Sequence, residues 1–345
     1  MTRVWIDMSN SPHPLLFAPI ARRLEEAGAE VLISARDHAQ TVELALERWP
    51  DAEVLGAASP PSRPGKAVAI GARVIDCARF ARRNNVDVAL SHNSYAQLAA
   101  ARLIRLPAVT AMDYEHQPAN HLGFRAATTI LLPEALPEQL VARQGARSAK
   151  VIRYRGFKEE LYLADFAFDE KILERLGILR APGVAVVVAR SAPAGAAYHP
   201  DENPLFVEGL RVICAQEHVR CVVLARHAHQ RAEIEAMNLP NCHIPATAID
   251  SRSLLNAADL FVGAGGTMTR EAALLGLPTL SLFAGRPAAL DAELERSGRL
   301  RILSGVDQLE DIRPRTPGDV DLASLRAAAD RIGTTFVDAT LAAAR

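Results

Sequence analysis

No stretch of this 345-residue chain reaches the ~20 apolar residues that a membrane-spanning helix requires, which excludes an integral helical membrane protein. Its four cysteines, Cys77, Cys214, Cys221 and Cys242, form no CxxC pair and no even spacing, so neither a disulfide framework nor a zinc knuckle is expected. They read as reduced, mostly buried thiols. Excess charge is also missing: 39 Lys and Arg against 40 Asp and Glu leave a net charge of −1, without the basic field that draws proteins to nucleic acid. The early apolar runs are too short for a secretory leader, and a cytoplasmic address is expected. No internal repeat or low-complexity tract stands out. What remains is an ordinary globular composition, 49% apolar and 23% charged, in a chain long enough for two domains that each bury a core.

Strand-like and helix-like runs alternate almost without break, the pattern of an α/β protein with parallel sheets. The first half predicts strands at 3–7, 30–34, 53–55, 87–91, 107–111 and 128–132, with helices near 15–27, 39–48, 66–84 and 95–103. The stretch 57–65 is a loop by its prolines, serine and glycine. Residues 149–163 read as a crossing between domains. The second half predicts strands near 184–189, 220–225, 242–244, 259–262, 278–283 and 300–303, followed by an alanine- and leucine-rich tail helix. The domains expected are 1–155, 156–320 and a closing helix in 321–345 that packs back on the first lobe.

The most informative segment runs from Phe261 to Phe283. An apolar strand ends at Val262, and Gly263, Gly265 and Gly266 let the backbone turn sharply and approach a ligand. A short helix from Thr267 to Leu275 follows, stopped by Gly276 and Pro278. A glycine turn that opens a helix aims free amide N–H groups at one spot, which suits a phosphate. Glu271 lies one helical turn inside, where a carboxylate can accept hydrogen bonds from sugar hydroxyls.

Gly265-Gly266, then Glu271, then Gly276-Leu277-Pro278 resembles the second-lobe signature of GT-B glycosyltransferases, in particular the transferase that adds N-acetylglucosamine to the lipid-linked peptidoglycan precursor. Non-hydrolysing UDP-N-acetylglucosamine 2-epimerases carry a similar segment with spacing one residue shorter. In such families the glutamate holds the ribose and the glycine turn lies against the diphosphate. Most of the chain also resembles a family of two-lobed, GT-B-like proteins of archaea and bacteria classed as of unknown function. That likeness includes the segment up to Asp37, Ser91-His92-Asn93, Asp113-Tyr114-Glu115 and residues 156–160. The resemblance implies two Rossmann-like lobes with a cleft between them.

In doubly wound sheets ligands bind at the carboxyl ends of strands, so residues just after strands rank first. Arg190 and Ser191 follow the strand 184–189, and a guanidinium there can pair with a phosphate. Arg226 follows the strand 220–225, and His199 sits in a loop placed to cover a diphosphate. Surface pairing accounts for Arg226 equally well. In the first half, His13 stands in the loop after the first strand, where an imidazole suits proton transfer, or it is a helix-start residue bonded to backbone. Asp7 orients that loop or is itself the base. His92, Asn93, Asp113 and Glu115 follow two further strands, and Ser94 is placed to cap the next helix.

The expected activity is therefore metal-independent transfer of a sugar from a nucleotide-diphosphate sugar, with UDP implied by the resemblance, to an acceptor the sequence does not name. His13, Asp7 and Glu115 are the catalytic candidates. Arg190, Ser191, His199, Arg226, Gly265, Gly266, Thr267 and Glu271 are the nucleotide-sugar candidates, and His92, Asn93 and Asp113 line the acceptor side. A 2-epimerase-like isomerase and a non-catalytic nucleotide-sugar sensor stay open. No cofactor is expected, and the triplet Asp319-Val320-Asp321 reads as a helix start rather than a metal site. Arg79, Arg82 and Arg83 beside Phe80 form the single basic cluster, read as a solvated helix end rather than a membrane contact. Oligomeric state is open.

Overall fold

A computed structural model describes the chain apart from residues 39, 57–62, 192–203, 226–227, 248, 284 and 316–319, and the side chains of 63, 64, 66 and 67. It divides into two compact units, Met1–Tyr162 with Arg326–Arg345, and Leu163–Leu325. Among the described residues no helix is long and apolar enough to cross a membrane. Cys77, Cys214 and Cys221 are buried, Cys242 is half-buried, and all four are free thiols.

The first unit is built on seven parallel strands: β1 Arg3–Met8, β2 Glu30–Ala35, β3 Glu53–Val54, β4 Val88–His92, β5 Ala108–Ala111, β6 Thr129–Pro133 and β7 Val151–Tyr154. Their order is β3-β2-β1-β4-β5-β6-β7, a doubly wound sheet that reverses direction between β1 and β4. Strand β1 shows why both faces of such a sheet must be covered. Val4, Ile6 and Met8 alternate onto one face, in a core with Leu16, Phe17, Ile20 and Leu24 of helix His13–Glu26. Ile332, Phe336 and Val337 of helix Leu322–Ala343 join the same core, and the Phe336 ring meets Tyr154 at 5.6 Å. Trp5 and Asp7 point to the opposite face, where Trp5 packs 5.3 Å from Phe80 of helix Arg63–Arg83.

One sequence expectation changes here. Residues 149–163 are not simply a crossing, because Val151–Tyr154 pairs in register with β6 as a seventh strand. Phe80 beside the basic cluster is buried against Trp5, while the exposed Arg83 pairs with Glu53 and the exposed Arg79 with Asp76, in keeping with a solvated helix end.

The second unit carries six parallel strands: β8 Ala185–Arg190, β9 Val219–Leu224, β10 Cys242–His243, β11 Leu260–Gly263, β12 Thr279–Ser281 and β13 Arg301–Ile302. Their order, β10-β9-β8-β11-β12-β13, reverses between β8 and β11. Its core joins Val187 and Ala189 of β8 to Phe206, Leu210 and Ile213 of helix Pro204–Cys214 and to Val262 of β11. Asp321 Oδ1 accepts the Ser324 N–H at 3.0 Å, a helix-start bond, while Asp319 lies outside the described residues.

Candidate functional site

Each sheet gathers polar residues where its strand order reverses, the place at which a crevice opens in this class of fold. In the second unit, Gly263 of β11 is the register partner of Arg190 of β8, and the Ala264 N–H donates to the Arg190 carbonyl at 3.1 Å. The arginine and the glycine turn are therefore neighbours. Gly265 has φ +90° and Gly266 φ +99°, a region that favours glycine. A Cβ on Gly265 would meet Phe283 Cδ2 at 2.8 Å. Gly266 is the exposed point of the turn, and helix Thr267–Leu274 starts on it.

The side chains around this turn are well anchored. Arg190 Nη1 donates to the Leu224 carbonyl at 3.1 Å, and Ser191 Oγ to Gln230 Oε1 at 3.2 Å. Glu271 is only 5% exposed. Next to it, Arg270 Nε and Asp291 Oδ1 form a buried pair at 2.9 Å. His199 and Arg226 fall outside the described residues. A cavity of about 670 Å³ lies elsewhere in this unit, lined by residues such as Ile172, His243, Ile249 and Asp250. Among the described residues, none of the candidate site residues lines it.

The first unit assembles a tighter constellation. His13 opens the helix after β1, His92 ends β4, and Asp113 follows β5. The His13 and His92 rings meet edge to face, 5.4 Å between centroids. His92 Nε2 stands 3.3 Å from Asp113 Oδ1, outside hydrogen-bonding alignment, and it is buried without a hydrogen bond. Asp113 Oδ2 accepts from Lys158 Nζ, which also donates to Glu159 Oε1 at 2.7 Å. Lys158 is 4% exposed and Glu159 fully buried. Glu115 is buried two residues beyond Asp113, with His116 Nε2 at 3.5 Å from its Oε1. The loop that carries them is pinned: Gln144 Nε2 donates to the Glu115 carbonyl and Asn120 Nδ2 to the Tyr114 carbonyl.

Lys158 and Glu159 are the residues that the sequence reading missed. They follow β7, so the strand-end rule points to them once that strand is seen. Gly156, with φ +112°, makes the turn that delivers them, and a Cβ there would overlap Glu160 Oε2.

Asp7 does not serve this constellation as a base. It is fully buried, and its Oδ1 accepts from Ser34 Oγ at 2.6 Å and Arg73 Nη2 at 2.9 Å. Its Oδ2 accepts from Arg73 Nη2 at 2.8 Å and from Ser94 Oγ. Four bonds fill a carboxylate's acceptor capacity, so no lone pair remains for a substrate proton. Ser94 stands at the helix N-cap position, but its hydroxyl goes to Asp7 and makes no capping bond. Asn93 adopts a left-handed conformation, φ +54°, with its N–H donated to Thr110 Oγ1 at 3.3 Å.

His13 accepts the Ser9 N–H on Nδ1 at 3.1 Å. Burial holds its basicity well below the usual imidazole value of 6.5, and His92 and Lys158 push the same way against Asp113. The folded ring thus stays neutral where an unfolded ring takes up a proton. The unfolded state binds more protons, so stability falls as pH drops below 6.5. The limiting slope is about 1.4 kcal/mol per pH unit, until the folded ring also protonates. His13→Gln should remove that slope, read as urea midpoints at pH 7.5 and 5.5. Equal slopes in both proteins would contradict the assignment.

With this geometry in view, comparison with known proteins gives a family. Residues 2–313 match the family described as "Protein of unknown function (DUF354)". The chain belongs to that family. An uncharacterized protein of Methanocaldococcus jannaschii is similar, 29% identical over 308 residues, 86% of each chain. The family's fold extends to solved enzymes. A UDP-GlcNAc 2-epimerase from Neisseria meningitidis bound to UDP-GlcNAc is similar with a TM-score of 0.71, at 14% identity, covering 98% of this chain and 100% of that one. A glycotransferase of kitacinnamycin is similar with a TM-score of 0.58, at 15% identity, covering 99% and 96%. At such identities the likeness shows the fold: this DUF354 member has the two-sheet, GT-B-like architecture that both kinds of enzyme share.

Proposed function

We infer that this chain acts on a nucleotide-diphosphate sugar and transfers its glycosyl group to a hydroxyl acceptor. One observation carries the reading: Arg190 and the Gly263–Gly266 turn sit side by side at the strand reversal of the second sheet. Backbone N–H groups at the start of helix Thr267–Leu274 and a nearby guanidinium suit a leaving diphosphate, whose developing charge they neutralise. Glu271 is assigned to the ribose hydroxyls. The first unit supplies the groups that move protons.

A second reading, a 2-epimerase-like isomerase, is favoured by a separate observation. Asp113 and Glu159 are buried on Lys158 with the His92 ring 3.3 Å from Asp113, and Glu115 is buried beside His116, more acid–base groups than transfer to a hydroxyl needs. Incubation with UDP-, GDP-, ADP- and dTDP-sugars decides between them. A transferase releases nucleoside diphosphate only slowly until an acceptor is added. An isomerase converts one nucleotide sugar into another with no acceptor present. Recovery of every nucleotide sugar unchanged, with acceptor mixtures and without, would contradict both.

A further inference from the structure

Two histidines of the first unit, His13 and His92, meet ring to ring beside the same polar cluster, and their surroundings fix which nitrogen of each carries the proton. At His13 the Nδ1 partner is the backbone N–H of Ser9. A backbone amide can only donate. Nδ1 must therefore hold its lone pair toward Ser9, and the neutral ring carries its hydrogen on Nε2. His13 Nε2 forms no hydrogen bond within the described residues, so the atom offered to a ligand is an N–H.

At His92 the neighbour is a carboxylate. Nε2 stands 3.3 Å from Asp113 Oδ1, and Lys158 pairs with the other oxygen of that carboxylate. A bare lone pair on Nε2 would face the lone pairs of an anion in a site 92% shielded from water, whereas an N–H there meets them favourably. The neutral ring therefore carries its hydrogen on Nε2 as well. That leaves Nδ1, which forms no hydrogen bond within the described residues, as a lone pair.

We propose that His13 and His92 form a donor–acceptor pair for a substrate hydroxyl, in which His92 Nδ1 takes the proton and His13 Nε2–H stabilises the oxygen. This assigns the proton acceptor to His92 rather than to His13, and it deepens the reading given above. In the step, the substrate O–H bond breaks and an Nδ1–H bond forms on His92. The electron pair stays on the substrate oxygen, which forms a bond to the anomeric carbon of the donor sugar as the bond from that carbon to the diphosphate oxygen breaks and the nucleoside diphosphate leaves with its electron pair, while Asp113 offsets the positive charge on the His92 ring. Asp113 acts through His92 and Lys158 through Asp113, so both are positioning residues.

The test reads the rings directly, by two-bond proton–nitrogen correlation on histidine-labelled protein at pH 7.5. His13→Gln and His92→Gln assign the signals. Both rings are expected as the Nε2–H tautomer. Asp113→Asn is expected to move His92 toward Nδ1–H and to leave His13 unchanged, a shift that a merely structural Asp113 would not produce. Finding either ring as Nδ1–H in the unsubstituted protein would overturn the pair. In turnover of a nucleotide sugar, His92→Gln should cost at least ~100-fold, as loss of a general base does. His13→Gln keeps an N–H at the Nε2 position and should stay within about tenfold, whereas His13→Ala should lose about 100-fold. The reverse ranking of the two glutamine variants overturns the assignment. If no nucleotide sugar is consumed, the functional reading fails while the tautomers still decide this one.

Discussion

Asp7→Asn should destabilise the first unit by about 3–5 kcal/mol, the cost of leaving a buried charge without its partner. The Arg73 guanidinium is 5% exposed and directs Nη2 at both Asp7 oxygens, 2.9 and 2.8 Å away. An amide there replaces one acceptor with a donor that faces Arg73 and the Ser34 or Ser94 hydroxyl. Trp5 belongs to the same chain of bonds, because its Nε1 donates to Ser34 Oγ at 2.8 Å and Ser34 donates on to Asp7. Urea unfolding followed by tryptophan fluorescence therefore reads the loss near its source. Arg73→Met should lose a similar amount, and the double variant should lose less than the sum, because each single change exposes the other's uncompensated group. A loss below about 1 kcal/mol in Asp7→Asn would show that the pair is not the buried support described here.

Lys158→Met should cost a comparable ~3–5 kcal/mol at pH 8, but with a pH dependence of its own. Without the ammonium group, Asp113 and Glu159 remain buried side by side, and the folded state favours protonation of at least one of them. Their folded-state basicity then lies above the unfolded one, so the folded state binds more protons. Stability lost at pH 8 should return as pH falls toward 5.5, opposite in sign to the slope assigned to His13. Unfolding midpoints at the two pH values check this. A deficit equal at both would mean that the two carboxylates do not depend on Lys158.

The parts of the fold that were legible in the sequence are those with a strong local signal. Ala185–Arg190 is Val-rich and buried on both faces, and Gly263–Gly266 followed by Thr267 announces a turn into a helix wherever it occurs. Strand β7 was not legible for the opposite reason. Val151-Ile-Arg-Tyr154 lies at the sheet edge, half exposed, so it shows neither an apolar run nor a clean alternation. Missing that strand hid Lys158 and Glu159, because nothing marked them as strand-end residues. Asp7 was placed correctly at a strand end, yet its role depends on Arg73, 66 residues away on a helix, a pairing that no local pattern encodes. The proton positions on His13 and His92 are further removed from sequence. They follow from one backbone amide and one carboxylate oxygen that only the folded chain brings to those nitrogens.

The reading of the second unit meets its most direct test in calorimetric titration of UDP, GDP, ADP and dTDP into the full chain and into Glu271→Ala. We expect at least one nucleoside diphosphate to bind the unsubstituted protein and to bind the variant at least ~10-fold more weakly, the loss of a charge-assisted bond to the ribose. Absence of binding for all four, or equal affinity in the two proteins, would contradict it.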